Sequence, residues 1–187
     1  DKISKENYDM KISSLLELPK LIENTLKIER DIQEASKDFS KAKGSMFLGR
    51  GYSFPIALEG ALKLKELAYV HAEGYPAGEM KHGPLALIEN GMPVVVIAPR
   101  DEFYSKTISN MQEVISRGGK VLLISNKSTD EVSSENLWKK IQVETISDDL
   151  FPFLVTIPLQ LLAYYAANTL GYDIDKPRNL AKSVTVE

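Results

Sequence analysis

The sequence contains no cysteine, which excludes disulfide bonds, thiol nucleophiles and cysteine-bound metals. It has only two histidines, His71 and His82, and neither belongs to a His-Glu-x-x-His motif, so we expect no catalytic metal and no cofactor. Long apolar runs are also absent, since the longest candidate, residues 92–99, is far shorter than the roughly 20 residues that cross a membrane. A net charge of -3 argues against nucleic acid or an anionic membrane as the main partner.

We therefore expect a cytoplasmic protein. A chain of 187 residues suits one domain with a full hydrophobic core. It begins at Asp1 rather than at methionine, and we expect further sequence upstream.

Apolar periodicity predicts strands that alternate with helices after a helical lead-in. The lead-in covers residues 8–43, and Pro19 should kink it or start a new helix. The later elements are predicted as strands at 45–48, 93–98, 120–125 and 141–145 and as helices at 54–72, 101–117 and 151–170. This alternation predicts a parallel sheet covered on both faces. Residues 72–84 and 172–187 fit no regular element.

The predicted helix 54–72 is apolar nearly all round, yet Glu59, Lys63 and Glu66 recur on it at spacings of four and three residues. This spacing places the three charges on one face. Charge among leucines is costly unless the groups pair or perform chemistry, so a buried ion-pair network that fixes helix packing is one interpretation. We favour the other, an acid–base site.

Three further segments have both a functional and a structural interpretation. The glycine turn at residues 49–53 leads from a strand into a helix, so it is either an anion cradle or simply a tight turn. His82 lies in a constrained loop, where it either shuttles protons or holds the loop. Lys182 and Arg178 lie in a polar tail, and by themselves they indicate only solvated side chains.

Taken together, several motifs are similar to the C-terminal half of the isomerase domain in the glucosamine-6-phosphate synthase family. They are Phe-Leu-Gly-Arg-Gly at 47–51, Ala-Leu-Glu-Gly-Ala-Leu-Lys-Leu-Lys-Glu at 57–66, Gly-Glu-Met-Lys-His-Gly-Pro-Leu-Ala-Leu at 78–87 and Pro-Arg-Asn-Leu-Ala-Lys-Ser-Val-Thr-Val-Glu at 177–187. The resemblance extends over about residues 8–187.

The resemblance implies a sugar isomerase (SIS) fold of the flavodoxin-like type, an αβα sandwich of three layers around a parallel sheet of about five strands. It divides the chain into a helical arm at 1–44, an SIS subdomain at 45–171 and a tail at 172–187 that closes over the sugar.

The resemblance also implies a role for each matching residue. Glu66 would move a proton between C1 and C2 of the sugar, and Lys63 would assist proton transfer at a hydroxyl. His82 would open the sugar ring, reaching into the neighbouring subunit of a homodimer. Lys182 would form an imine with the open-chain ketose. Residues implied at the sugar are Ala181, through its backbone, with Arg178, Ser183 and Glu59.

The implied reaction converts fructose 6-phosphate and glutamine to glucosamine 6-phosphate and glutamate. In the family, glutamine is hydrolysed by an N-terminal domain with a cysteine nucleophile, and the phosphate is gripped by a preceding SIS subdomain. Neither is found in these residues, so we expect little activity from the chain alone. Two alternatives stay open, a stand-alone phosphosugar isomerase and a non-catalytic module that senses sugar phosphates.

Overall fold

The computed structural model describes residues 3–126, 137–144 and 146–180, in which strands and helices alternate after two leading helices. The helices are α1 (Lys5–Leu26), α2 (Glu29–Lys41), α3 (Ser53–Ala68), α4 (Tyr104–Ile115) and α5 (Phe151–Thr169). The strands are β1 (Gly44–Gly49), β2 (His71–Pro76), β3 (Pro93–Ile97), β4 (Lys120–Ser125) and β5 (Leu137–Gln142). Two short 3₁₀ helices, Ala77–His82 and Pro84–Leu87, follow β2.

The five strands form one sheet in the order β2-β1-β3-β4-β5, and every neighbouring pair is parallel. Parallel strands need crossover connections, and the helices that make them cover both faces of the sheet. The predicted three-layer αβα architecture is therefore confirmed.

Side chains alternate between the two faces of the sheet and build two hydrophobic cores. On one face, Phe47 of β1 belongs to a core that includes Phe39 of α2 and residues of α3 and α5. On the other face, Met46 and Leu48 belong to a core with residues of α4 and Met80 of the first 3₁₀ helix. The catalytic candidates on α3 and on that 3₁₀ helix are thus attached to opposite faces of β1.

Strand β2 was not predicted, because the sequence analysis extended the preceding helix to residue 72. Helix α3 ends at Ala68, since Tyr69 adopts a left-handed conformation with φ of 56°. β2 is an edge strand with an exposed His71 and an internal glycine, so it lacks the usual apolar signal. Gly74 marks a close approach, because a Cβ there would lie 2.9 Å from the Leu58 backbone of α3.

The lead-in also differs from its prediction in one detail. Helix α1 continues through Pro19, and the break between the two helices falls after Leu26. Helix α2 contributes Ile32, Ala35 and Phe39 to the core, and all three are fully buried.

Within the described residues, no helix is both long enough and apolar enough to cross a membrane.

Candidate functional site

The three charged residues predicted on one helix face do lie together on α3. The Lys63 ammonium donates a hydrogen bond of 2.7 Å to Glu66 Oε2 and lies 3.8 Å from Glu59 Oε1. Because Glu66 follows Lys63 by three residues and Glu59 precedes it by four, one turn of helix brings each carboxylate to the amine. Lys63 is therefore shared between two carboxylates, with the closer contact to Glu66.

The stripe is half-buried rather than enclosed. The side chains of Glu66, Lys63 and Glu59 are 28%, 30% and 39% exposed. The expectation that apolar residues surround these charges was wrong, because Leu58 and Leu62 of the same helix are themselves 45% and 40% exposed. The apolar residues that do pack into the core lie on the opposite side of α3. The charges are thus accessible to a ligand.

The electrostatics of the stripe favour a protonated lysine. The hydrogen bond to Glu66 raises the pKa of Lys63; partial burial opposes this, and the charges of Glu66 and Glu59 add to the rise. An ammonium and a carboxylate within one hydrogen bond supply a proton donor and a proton acceptor at the same place. General acid–base catalysis requires these two kinds of group.

His82 lies at the end of the first 3₁₀ helix, away from the stripe on α3. Its Nδ1 atom lies 2.7 Å from Glu79 Oε2, and both side chains are mostly exposed. If Nδ1 donates to Glu79, Nε2 becomes the acceptor of the neutral ring, which is the state a proton shuttle needs. Glu79 was not predicted as part of this site, although its position three residues before His82 was a usable signal.

Within the described residues, the structure records no hydrogen bond or ion pair between His82 and the charged stripe on α3. Among the described residues, the candidate catalytic side chains therefore form two groups. One lies on α3 and the other follows β2.

Arg178 is held against the end of α3 by Tyr69, which the sequence analysis also missed. The backbone amide of Arg178 donates to the Tyr69 hydroxyl at 2.8 Å, and its guanidinium carbon lies 4.0 Å from the centre of the Tyr69 ring. Tyr172 adds a ring contact to Tyr69 at 4.8 Å. Because Tyr69 directly follows α3, these contacts attach the tail at the C-terminal end of that helix. No sequence signal singled out Tyr69.

The other predicted tail residues, Ala181, Lys182 and Ser183, lie outside the described residues. Their roles at the sugar, and any contact of Arg178 with substrate, stay predictions. Among the described residues, no group of three or more His, Cys, Asp or Glu side chains is arranged to hold a metal ion.

The glycine turn after β1 is tight, since a Cβ at Gly49 would lie 2.3 Å from the Ser53 carbonyl oxygen. It borders a cavity of about 480 Å³ that is lined by Asp101, Glu102 and Asp148 as well as by aromatic rings. Burial raises the pKa of Asp101, against the hydrogen bond that its carboxylate accepts from the Phe103 amide. Carboxylates repel an anion, so this geometry favours the structural interpretation of the turn over a phosphate cradle. The charged stripe on α3 does not line this cavity.

Comparison with known proteins gives a consistent result. A family model described as the SIS domain matches residues 38–170. The chain is 50% identical over 186 residues to the "Glutamine--fructose-6-phosphate aminotransferase [isomerizing]" of Rhizobium meliloti, covering 99% of this chain and 31% of that protein. It is 51% identical over 176 residues to the protein of the same name from Brucella abortus, covering 94% of this chain and 29% of that protein.

A solved structure agrees with these relatives. The C-terminal domain of glucosamine-fructose-6-phosphate aminotransferase from Francisella tularensis superposes with a TM-score of 0.89 at 43% identity, over 93% of this chain and 49% of that chain. The chain therefore spans about a third of the length of the curated relatives, and about half of this solved domain.

Proposed function

The chain belongs to the SIS domain family, and from this premise we propose that it carries the acid–base machinery of a phosphosugar isomerase. Its substrate class is the one in the relatives' names, fructose 6-phosphate, with glucosamine 6-phosphate as the product once nitrogen is supplied by glutamine. The observation that carries the proposal is the Lys63–Glu66 pair, which is held at 2.7 Å on an accessible face of α3.

In the proposed reaction Glu66 acts as the base on the open-chain ketose. Its carboxylate removes a proton from C1, the electron pair moves into an enediol, a proton returns at C2, and the C1 hydroxyl loses its proton to leave the carbonyl at C1. For glucosamine 6-phosphate, ammonia from glutamine would first replace the C2 carbonyl oxygen, which leaves as water, and the same proton transfer would pass through the corresponding enamine. Lys63, protonated beside Glu66, transfers a proton at the neighbouring hydroxyl oxygen. An imine between Lys182 and the ketose would make the C1 proton more acidic.

Two further parts of the proposal concern other regions of the site. His82 opens the sugar ring, and in a homodimer it would serve the neighbouring subunit. This fits its exposure and the lack, within the described residues, of a hydrogen bond or ion pair between His82 and the stripe on α3. The phosphate is held outside the acid-lined cavity beside Ser53, because three carboxylates there disfavour a dianion. We therefore expect these 187 residues to show little activity by themselves.

The test replaces Glu66 by Gln in the polypeptide encoded by the full reading frame, with isomerisation of fructose 6-phosphate as the assay. Loss of the base should lower kcat/KM by about 10²–10⁴-fold, the usual contribution of general base catalysis. Asp38→Asn is the matched control. Asp38 pairs with Lys120 at 2.9 Å, and the Lys120 side chain is 31% exposed against 30% for Lys63.

The control should lose a comparable ion pair and keep its rate. An unchanged rate in Glu66→Gln would remove Glu66 from the mechanism. An equal loss in both variants would show that the effect comes from stability, which thermal unfolding of each variant measures separately.

A further inference from the structure

The short helix Ala77–His82, which carries His82, is anchored at its buried residues and at one ion pair. Ala77 and Met80 are buried in the core beneath α4, and Lys81 pairs with Glu113 of α4 at 2.9 Å. A 3₁₀ helix of six residues has little stability of its own, so its position depends on such outside contacts.

Arg50 makes one further contact to this region, from the turn after β1. Its Nη2 and Nε atoms both donate to Asn110 Oδ1 of α4, at 2.9 Å and 3.3 Å. Asn110 is buried, with 8% of its surface exposed, so the acceptor itself is fixed by the core. Two donors on one buried acceptor set the direction in which the Arg50 side chain points.

Gly78 receives the flat face of that guanidinium. A Cβ built on Gly78 would lie 2.9 Å from Nη2 and 3.0 Å from both Cζ and Nη1 of Arg50. Nearly equal distances to these three atoms mean that the Cβ would sit over the plane and not at its edge. The Arg50 guanidinium therefore packs face-on against the backbone at Gly78, four residues before His82.

From this geometry we propose that Arg50 is a positioning residue for His82, linking the turn after β1, α4 and the His82-bearing helix. The proposal rests on the proposed function of His82. A lysine cannot replace the arginine here, because an ammonium lacks both the forked donors and the planar face. An alanine at Gly78 would fill the space that the guanidinium occupies.

The test uses Arg50→Lys and Gly78→Ala in the polypeptide encoded by the full reading frame. Each variant changes one of the two partners in the contact between Arg50 and Gly78. Arg100→Lys is the control, since Arg100 is exposed and follows β3 at the same edge of the sheet. We expect kcat/KM to fall about 10–100-fold in the two test variants, as a misplacement of roughly 1 Å does. The control should keep the parental rate.

Two readouts separate positioning from a general loss of structure. In a His82→Ala background, Arg50→Lys should cause no further loss, because a residue that acts through His82 has nothing left to position. Amide hydrogen exchange within residues 78–82 should become faster in Arg50→Lys, and exchange in β3 and β4 should not.

If the losses of kcat/KM caused by Arg50→Lys and His82→Ala add in the double variant, the proposal is overturned. It is also overturned if Arg50→Lys and Gly78→Ala both keep the parental kcat/KM while His82→Ala lowers it. Parental activity in His82→Ala overturns the role of His82 in the proposed function, and this proposal with it. In that case the exchange data still report whether Arg50 holds the segment, so the two failures are distinguishable.

Discussion

Replacing Gly60 by alanine sets helix propensity against packing at the centre of α3. Gly60 follows Glu59 directly and faces the core, where a Cβ would lie 2.9 Å from Phe47 Cδ1 and 3.0 Å from Leu159 Cδ1. Both neighbours are almost completely buried, with 0% and 1% of their surfaces exposed. Ordinary contact begins at 3.4 Å, so the added carbon is about 0.5 Å too close to two side chains that are packed in the core.

The two effects have different sizes. Alanine in a helix interior is better than glycine by about 1 kcal/mol. Overpacking of a core costs about 1–3 kcal/mol. We therefore expect a net loss of about 1 kcal/mol in the free energy of unfolding, or about 2–4 °C in Tm for a chain of this length.

Urea unfolding followed by circular dichroism measures this change, provided that the denaturant slope stays constant. In a Leu159→Ala background one of the two close neighbours is removed, so Gly60→Ala should cost less there than in the parent. A higher unfolding midpoint in Gly60→Ala would refute the reasoning, because it would mean that propensity outweighs the close contacts of Gly60.

Three further predictions concern other parts of the fold. Because burial raises the pKa of Asp101, folding favours its protonated form, and the free energy of unfolding falls as pH rises from the ordinary Asp pKa of about 3.9 through the raised value. Asp101→Asn should therefore be more stable than the parent at pH 7 and equal to it near pH 3 by urea unfolding; equal stability at both pH values would contradict this. Lys139 of β5 donates to Glu34 at 2.6 Å and to Asp31 at 3.1 Å of α2, so Lys139→Met should lower the free energy of unfolding at low salt and lower it less in 1 M salt, which screens exposed ion pairs; no change at low salt would contradict this. Tyr69→Phe keeps the ring and removes the hydroxyl that accepts from the Arg178 amide, so exchange at that amide should become faster by NMR; an unchanged rate would contradict the contact.

Much of the fold was predictable because its signals are local. The buried strands β3 and β4 are continuous apolar runs, and α3 combines helix formers with a regular spacing of its charges. Strand β2 was not predicted because it is stabilised by segments elsewhere in the chain. It pairs with β1, and Gly74 lets α3 approach closely, whereas its own composition does not favour a strand.

The candidate site was predictable in its members but not in its environment. Spacing alone placed Glu59, Lys63 and Glu66 on one face, and the structure brings their charged groups together. These side chains are half-exposed because a different side of α3 packs against the sheet. The sequence of α3 is apolar nearly all round, so it does not indicate which side that is. The contact of Arg50 with Gly78 depends on a turn, a 3₁₀ helix and α4 meeting in space, and no spacing in the sequence encodes that.

Under the proposed function, the Glu66 carboxylate moves a proton on the carbon skeleton of the sugar. Proton exchange is followed by NMR in D₂O without glutamine, using the polypeptide encoded by the full reading frame. The signal is deuterium at C1 of fructose 6-phosphate or at C2 of the aldose phosphate formed from it. We expect deuterium incorporation by the parent and by Asp38→Asn, and its loss in Glu66→Gln. Incorporation by Glu66→Gln at the parental rate would contradict it.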